Sequence, residues 1–212
     1  GKKVIVSAGG TQEKIDPVRY ISNRSSGRQG YAIAKAAWME GADVTLVSCT
    51  TALPTPYGVK MVYVQDAREL EKAMNAEYDS CDAAIMAAAV SDYRPTVAAD
   101  QKIKKEDFDS LHIDLTQNPD ILYGLGQKKR GQFLVGFAAE TQDVIEHGKS
   151  KLKRKNLDML VANDVAMPGA GFNGTTNIAS LLYKDGHMDQ YPKMSKDELG
   201  HIIIEKMAEL MK

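Results

Sequence analysis

Gly9-Gly10-Thr11 and, shortly after, Asp16-Pro17-Val18-Arg19-Tyr20-Ile21-Ser22-Asn23-Arg24-Ser25-Ser26-Gly27-Arg28-Gln29-Gly30 join a short apolar run, Val4–Ala8, to a helical pattern. A strand, a polar loop with glycines and then a helix start is how α/β proteins hold phosphorylated ligands. Glycine lets backbone N–H groups come close to an anion, and the helix N-terminus adds partial positive charge. Gly9, Gly10, Ser26 and Gly27 are therefore candidate cradle residues. Arg19 and Asn23 bring an anion fork and an amide that a bare phosphate cradle does not need. That addition points to chemistry on a substrate.

Working outward, strand-like runs recur at Lys3–Ala8, Asp43–Ser48, Lys60–Val64, Asp82–Ala87, Phe133–Ala138, Met159–Ala162 and Ile178–Tyr183. Helical patterns lie between most of them: Gly27–Met39, Ala67–Tyr78, Pro119–Gly126 with Asn118 as cap, Asp143–Lys155, and Ser195–Met211 with Glu198 completing a capping box. Alternating strands and helices predict an α/β fold: a Rossmann-like, mostly parallel sheet with helices on both faces. Ligands of such sheets bind at the carboxyl ends of strands, so the loops after Ala8, Ala88 and Ala138 are expected to converge. Residues 92–114 and 168–177 read as functional loops or a small flap, with Pro95–Phe108 able to close over a site. The whole chain, 1–212, reads as one domain.

Composition narrows the function. Lys plus Arg number 27 and Asp plus Glu 28, a net charge of −1, which argues against a nucleic-acid or anionic-membrane surface. No apolar run approaches the ~18 residues of a membrane span, and the N-terminus has no signal-peptide core. Cys49 and Cys81 are far apart, without a Cys-x-x-Cys, which predicts a reduced, cytoplasmic setting. The four histidines have no metal-ligand spacing. Gly-x-Gly-x-x-Gly is absent, and the second strand ends in Ser48-Cys49-Thr50-Thr51 without the acid a dinucleotide ribose wants. Tyr31-x-x-x-Lys35 matches a reductase dyad in letters, but it falls on the first helix.

Six further features fall at predicted strand ends or beside them. Met86-Ala87-Ala88-Ala89-Val90-Ser91-Asp92 offers small residues against which a flat ligand can lie, and Asp92 could bind a metal that carries phosphates. Lys102-Ile103-Lys104-Lys105 could bring a mobile charge to a phosphate chain, although such runs are usually just solvated. Asn118-Pro119-Asp120-Ile121-Leu122 starts a helix, whether to meet a ligand or simply to cap. Phe137 could stack on a base or fill core. Lys151 and Lys155, four apart, share a helix face that is otherwise an ordinary basic surface. Ala162-Asn163-Asp164 stands at the end of another strand, either as a site element or as its plain terminator.

In this order and spacing the motifs resemble the phosphopantothenoylcysteine synthetases, the phosphopantothenate–cysteine ligases of coenzyme A synthesis. The carriers are residues 16–27, 88–95, 102–105, 118–122, 136–141 and 151–158. The resemblance implies ligation of 4′-phosphopantothenate with L-cysteine, using CTP and Mg²⁺ and passing through an acyl-cytidylate. It implies that Lys102 neutralises the triphosphate, that Asn23 orients the acyl-cytidylate, and that Arg19 binds substrate phosphate or carboxylate, within its own subunit or across a homodimer. Met86, Ala87, Ala88, Pro119, Asp120, Ile121, Leu122, Phe137, Lys151 and Lys155 would hold the nucleotide, with Asp92 beside it and its Mg²⁺. A phosphopantothenoylcysteine decarboxylase domain, fused or associated, would be its neighbour. The alternatives are a nicotinamide-dependent reductase on a similar sheet and a non-catalytic nucleotide-binding module.

Overall fold

Residues 1–105, 110–140, 144–164 and 174–212 are described by a computed structural model of the chain. Phe108, Thr141, Asp143 and residues 168–173 of the second irregular loop lie outside the described residues. The central sheet is built from β1 (Lys3–Ala8), β4 (Asp43–Ser48), β5 (Lys60–Tyr63), β6 (Ala83–Met86), β9 (Phe133–Glu140), β10 (Met159–Asp164), β11 (Thr176–Tyr183) and β12 (Met188–Ser195). Their order is β12-β11-β10-β9-β6-β1-β4-β5. The strands from β5 through β10 run parallel, and β11 and β12 are antiparallel additions at one edge.

The parallel strands are apolar throughout because both faces are covered. Helices α1 (Arg28–Met39) and α5 (Lys196–Leu210) share one core with Val4, Val6, Leu46 and Val135. Helices α2 (Ala67–Tyr78), α3 (Ile121–Lys128) and α4 (Val144–Arg154) cover the other face, over Ile5, Val47, Leu134 and Leu160. From β1 the chain winds outward through β4 to β5, then returns to the middle and winds the other way through β6, β9 and β10. The reversal between β1 and β6 is the topological switch point, where ligands of open α/β sheets bind.

The expected Rossmann-like sheet is present, with short elements the pattern did not reveal. The loop after β1 holds a hairpin, β2 (Gln12–Lys14) with β3 (Tyr20–Ser22), and the first irregular stretch holds the ribbon β7 (Tyr93–Pro95) with β8 (Leu115–Gln117). Three residues are too few to show a period of two. β12 escaped notice because its Met-Asp-Gln-Tyr-Pro-Lys-Met-Ser run contains Pro192. A proline is tolerated there because β12 is an edge strand with a register shift opposite Asn177 and Ala179.

Helix α3 starts two residues later than Pro119. Its cap is Asp120, not Asn118: the Asp120 carboxylate accepts the Tyr123 amide at 3.1 Å. Helix α5 keeps the capping box of Ser195 and Glu198.

Gly30 shows how tightly α1 crosses the end of β1. A Cβ there would stand 2.5 Å from the Ala8 Cβ and 2.8 Å from the Ser7 carbonyl oxygen, whereas one on Gly124 in α3 meets nothing within 4 Å. Both are helical, so both gain propensity on becoming alanine. Gly124→Ala should stabilise the fold by up to about 1 kcal/mol, whereas Gly30→Ala should cost about 1–3 kcal/mol through overpacking. Urea unfolding of the two variants checks the contrast.

Candidate active site

The floor of the site is backbone. The β1–β6 pairing continues past both strands as a parallel bridge between Gly10 and Ala89. The Ala89 amide donates to the Gly9 carbonyl at 2.8 Å, and the Thr11 amide donates to the Ala89 carbonyl at 3.2 Å. Side chains extend the seam: Ser7 Oγ accepts the Ala88 amide at 3.1 Å and Thr11 Oγ1 the Ser91 amide at 3.0 Å. Asn23 Nδ2 then donates to the Val90 carbonyl at 3.2 Å, and Asn118 Nδ2 donates to the Ser91 carbonyl at 2.8 Å. Two segments distant in sequence are thus stitched to the 88–92 turn.

Over this floor lies a cavity of about 680 Å³ at the carboxyl rim of the sheet. Asn23, Ser26, Gly27, Met86, Ala87, Ala88, Asp92, Pro119, Asp120, Ile121, Leu122, Phe137, Lys151 and Lys155 all line it. Phe137 serves two purposes, since it also packs against the α1–α5 core. Helix α4 ends at Arg154, one residue short of the expected Lys155, and Lys155 reaches from the turn just after it to the cap of α3, its Nζ 2.9 Å from Asp120 Oδ1. The turn at Gly27 needs glycine: its φ is +79°, and a Cβ would stand 2.9 Å from Thr50 Cγ2. Gly27 as the α1 cap therefore offers no side-chain acceptor, and the first turn has no acid; the Arg28 amide donates instead to Ser26 Oγ at 3.5 Å.

Four expected residues do not line the cavity. Gly9 and Gly10 stand behind it. A Cβ on Gly10 would lie 2.8 Å from the Asn23 carbonyl oxygen, so this glycine lets the Asn23 turn close on the strand end instead of meeting an anion. Arg19 is committed elsewhere. Its Nε and Nη2 donate to Asp16 Oδ2, and Nη2 also donates to the Ile103 carbonyl at 3.0 Å; only Nη1 has no partner among the described residues. Lys102 is exposed and outside the lining, next to the Ile103 backbone that Asp16 and Arg19 hold from both sides.

Asp16 is the buried hub of this clamp, 2% exposed. The Arg19 guanidinium, aided by the amides of Val18, Arg19 and Ile103, outweighs burial and holds its carboxyl well below the usual carboxylate range. Thiol chemistry has no basis here. Burial pushes the Cys49 and Cys81 thiols up to about 12, so both stay protonated at neutral pH. The Tyr31/Lys35 pair is also dissolved. The Tyr31 hydroxyl lies 3.0 Å from Ser48 Oγ and donates to the Thr50 carbonyl, while Lys35 pairs with Asp197 on the surface.

Residues 1–211 match the family described as DNA/pantothenate metabolism flavoprotein C-terminal domain. The chain belongs to this family. It is 49% identical over 213 residues to the coenzyme A biosynthesis bifunctional protein CoaBC of Vibrio cholerae, covering 100% of this chain and 53% of that protein. The chain thus spans about half the length of the curated relatives it matches. A crystal structure of the C-terminal domain of a CoaBC protein superposes with a TM-score of 0.85 at 40% identity, covering 100% of this chain and 96% of that one. A Cab2 variant complexed with phosphopantothenate-cysteine shares the fold at a TM-score of 0.78 and 16% identity, over 99% of this chain and 86% of that one. No described helix is long and apolar enough to cross a membrane.

The cavity also draws in residues that the site expectations omitted: Arg28, Gln29, Asn177 and Lys196. Asn177 and Lys196 come from β11 and the start of α5, far along the chain from every glycine loop. One signal was available for Lys196. It stands one place after a capping serine, where helices favour acids over cations.

Asp16 yields an acid-stability test. An unfolded aspartate takes up its proton near about pH 3.9, and folded Asp16 does so well below that. Its stabilising contribution is complete above about pH 4 and is lost as pH falls toward the folded value. Asp16→Asn should therefore lower stability at pH 7 yet lose less than wild type on acidification below about pH 4. Urea unfolding across pH reads this out, and equal acid sensitivity would assign the effect to another group.

Proposed function

We propose that this chain catalyses the CTP-dependent ligation of 4′-phosphopantothenate with L-cysteine. The observation that carries the reading is the rim cavity itself. Asn23, residues 86–92 and 118–122, Phe137, Lys151 and Lys155, widely separated in sequence, line one space of about 680 Å³. Coenzyme A biosynthesis relatives along the whole chain support the same reading. So does a chain of the same fold described with phosphopantothenate-cysteine bound.

In the first half-reaction, a carboxylate oxygen of phosphopantothenate attacks the α-phosphorus of CTP. The α–β bridging P–O bond breaks, and pyrophosphate leaves. In the second, the cysteine amine attacks the acyl carbon of the acyl-cytidylate, CMP leaves, and the amine's proton passes to solvent. Phe137 and the small Met86–Ala88 segment would receive the base, with Lys151 and Lys155 fixing its polar edge or the sugar. Lys102, carried by the loop that Asp16 and Arg19 anchor at Ile103, would offset charge as it builds at the α-phosphate. Asn23 is tied to the Val90 carbonyl by its Nδ2, which holds its amide at the cavity mouth to orient the acyl-cytidylate.

Asp92 fits a Mg²⁺ shared with the triphosphate. Its exposed carboxylate lines the cavity and bonds no described residue, and no three acidic, histidine or cysteine groups among the described residues gather to hold a metal alone. Phosphate oxygens would complete such a shell, as is usual for this ion, and the cation would neutralise them.

A homodimer belongs to the proposal. Val18, Tyr20, Tyr93, Val97 and Leu115, 47–80% exposed, crowd the two small ribbons, and such a patch suits a second copy of the chain. Arg19 would stand beside that contact with Nη1 to offer. The setting is proposed to be cytoplasmic, and the other half of the bifunctional relatives is proposed to carry the decarboxylase.

A pyrophosphate assay on this chain tests the reading. Release should require both phosphopantothenate and a triphosphate, with CTP preferred. Carbon dioxide from phosphopantothenoylcysteine, without pyrophosphate, would place decarboxylation here instead. Lys102→Gln should lower pyrophosphate release by roughly 10²–10³, whereas Asn23→Asp should still release it but fail to consume cysteine. Equal loss of the first step in both variants would refute the role given to Asn23. Light scattering should find dimers that Val97→Asp shifts toward monomers.

A further inference from the structure

Of the two acids among the described residues that line the rim cavity, Asp120 is spent on the Tyr123 amide and Lys155, and Asp92 keeps its carboxylate without a described partner. An exposed aspartate in a turn can swing in many directions unless its backbone is held. Here the hold comes from another segment of the chain. The Asn118 amide donates to the Asp92 carbonyl at 2.8 Å, and Asn118 Nδ2 donates to the Ser91 carbonyl at 2.8 Å. Those carbonyls belong to the two peptide groups that flank the Asp92 Cα, so one asparagine grips both. Thr11 Oγ1 fixes the Ser91 amide from the β1 side.

The second grip works only if the Asn118 amide points one way round, because its donor and acceptor ends exchange on a half-turn. Arg94 settles the direction. Its Nη1 donates to Asn118 Oδ1 at 3.1 Å and also to the Gln117 carbonyl. With a cationic donor at Oδ1, the NH₂ end must face Ser91; the flipped amide would set Nδ2 against the guanidinium and Oδ1 against a carbonyl. Arg94 is half-buried and outside the cavity lining. The β7–β8 ribbon that carries it is also tied by backbone, through the ladder and the Thr96 amide on the Asp114 carbonyl at 2.8 Å.

We propose that Arg94 and Asn118 are positioning residues that aim the Asp92 carboxylate at the bound triphosphate and its Mg²⁺. Arg94 orients the Asn118 amide, Asn118 holds the Asp92 backbone, and Asp92 meets the cation. The role rests on the reading of the cavity as the nucleotide site and extends it to an arginine that touches no ligand. Groups that orient a metal-binding side chain commonly matter by about 10–100-fold in affinity.

Calorimetric titration of the chain with CTP, in the presence and absence of Mg²⁺, tests the proposal. Arg94→Met and Asn118→Ala should each weaken CTP binding with Mg²⁺ by about tenfold or more, and Arg94→Met should leave binding without Mg²⁺ unchanged. Arg94→Lys, whose ammonium can still donate to Asn118 Oδ1, should recover most of the loss. In an Asp92→Asn background both losses should vanish, because Asp92 is the group through which they act. Losses that persist in that background, or that are equal with and without Mg²⁺, make the pair a staple of the ribbon and overturn the proposal. Unchanged affinity overturns it too, as does an Asp92→Asn variant that keeps Mg²⁺-dependent binding intact. Should Asn118→Ala fail to fold, Arg94→Met must show the coupling or the proposal falls. Coupled, Mg²⁺-dependent CTP binding without ligation by wild type would retire the ligase reading alone. Ligation by wild type, with Arg94 and Asn118 variants acting independently of Asp92, would retire the positioning role alone.

Discussion

The β1–β6 register governs everything at the rim. Because Ser7 pairs with Met86 and the ladder runs on to Gly10 and Ala89, two loops that leave adjacent parallel strands must travel side by side. A parallel sheet has no other way to place the ends of its first and fourth strands in contact. The backbone bonds of Ala89 to Gly9 and Thr11, and the bond of the Ser91 amide to Thr11 Oγ1, then turn that neighbourhood into a ledge. Asn23 and Asn118 dock on the ledge through their amides, bringing the first loop and the α3 entrance to the same place.

Charge is distributed over this scaffold in layers. The α3–α4 side contributes Lys155, already neutralised by Asp120, together with Lys151. The α1–α5 side contributes Arg28 and Lys196 at two helix starts. A cavity that crosses the edge of the sheet therefore meets cations from both helical layers, an arrangement suited to a ligand with more than one anionic group. The Lys155–Asp120 pair is a contact that a bound anion could exchange.

Asp16 and Arg19 work at one remove from the chemistry. A buried carboxylate that accepts a guanidinium and three amides is stable only as a complete set, because losing one partner leaves a desolvated charge. By holding both the amide and the carbonyl of Ile103, the set fixes the backbone beside Lys102. Arg19 is thereby better described as a fastening for the lysine loop than as a wall of the cavity. The motif Asp-Pro-Val-Arg has an internal structural reason for its spacing, an Asx-type turn that folds Arg19 back on Asp16.

Much of this was legible in the order of residues. The short, largely apolar runs Val4–Ala8 and Asp43–Ser48 and the 3.6-residue period of Ala67–Tyr78 determined the α/β class, since a strand covered on both faces is apolar throughout while a helix buries only one stripe. The small residues at 86–89, Phe137 and the four-residue spacing of Lys151 and Lys155 marked candidates that the cavity then joined. Tertiary structure alone decided which polar side chains face the ligand space. Arg19 and Lys102 carry suitable charges, yet one is consumed by Asp16 and the other lies outside the lining. Lys196 carries the same charge at the start of α5, and the packing of α5 on α1 buries it at the cavity. Charge and propensity are properties of a residue and its near neighbours, whereas burial and convergence depend on segments more than a hundred positions apart, which no local pattern encodes.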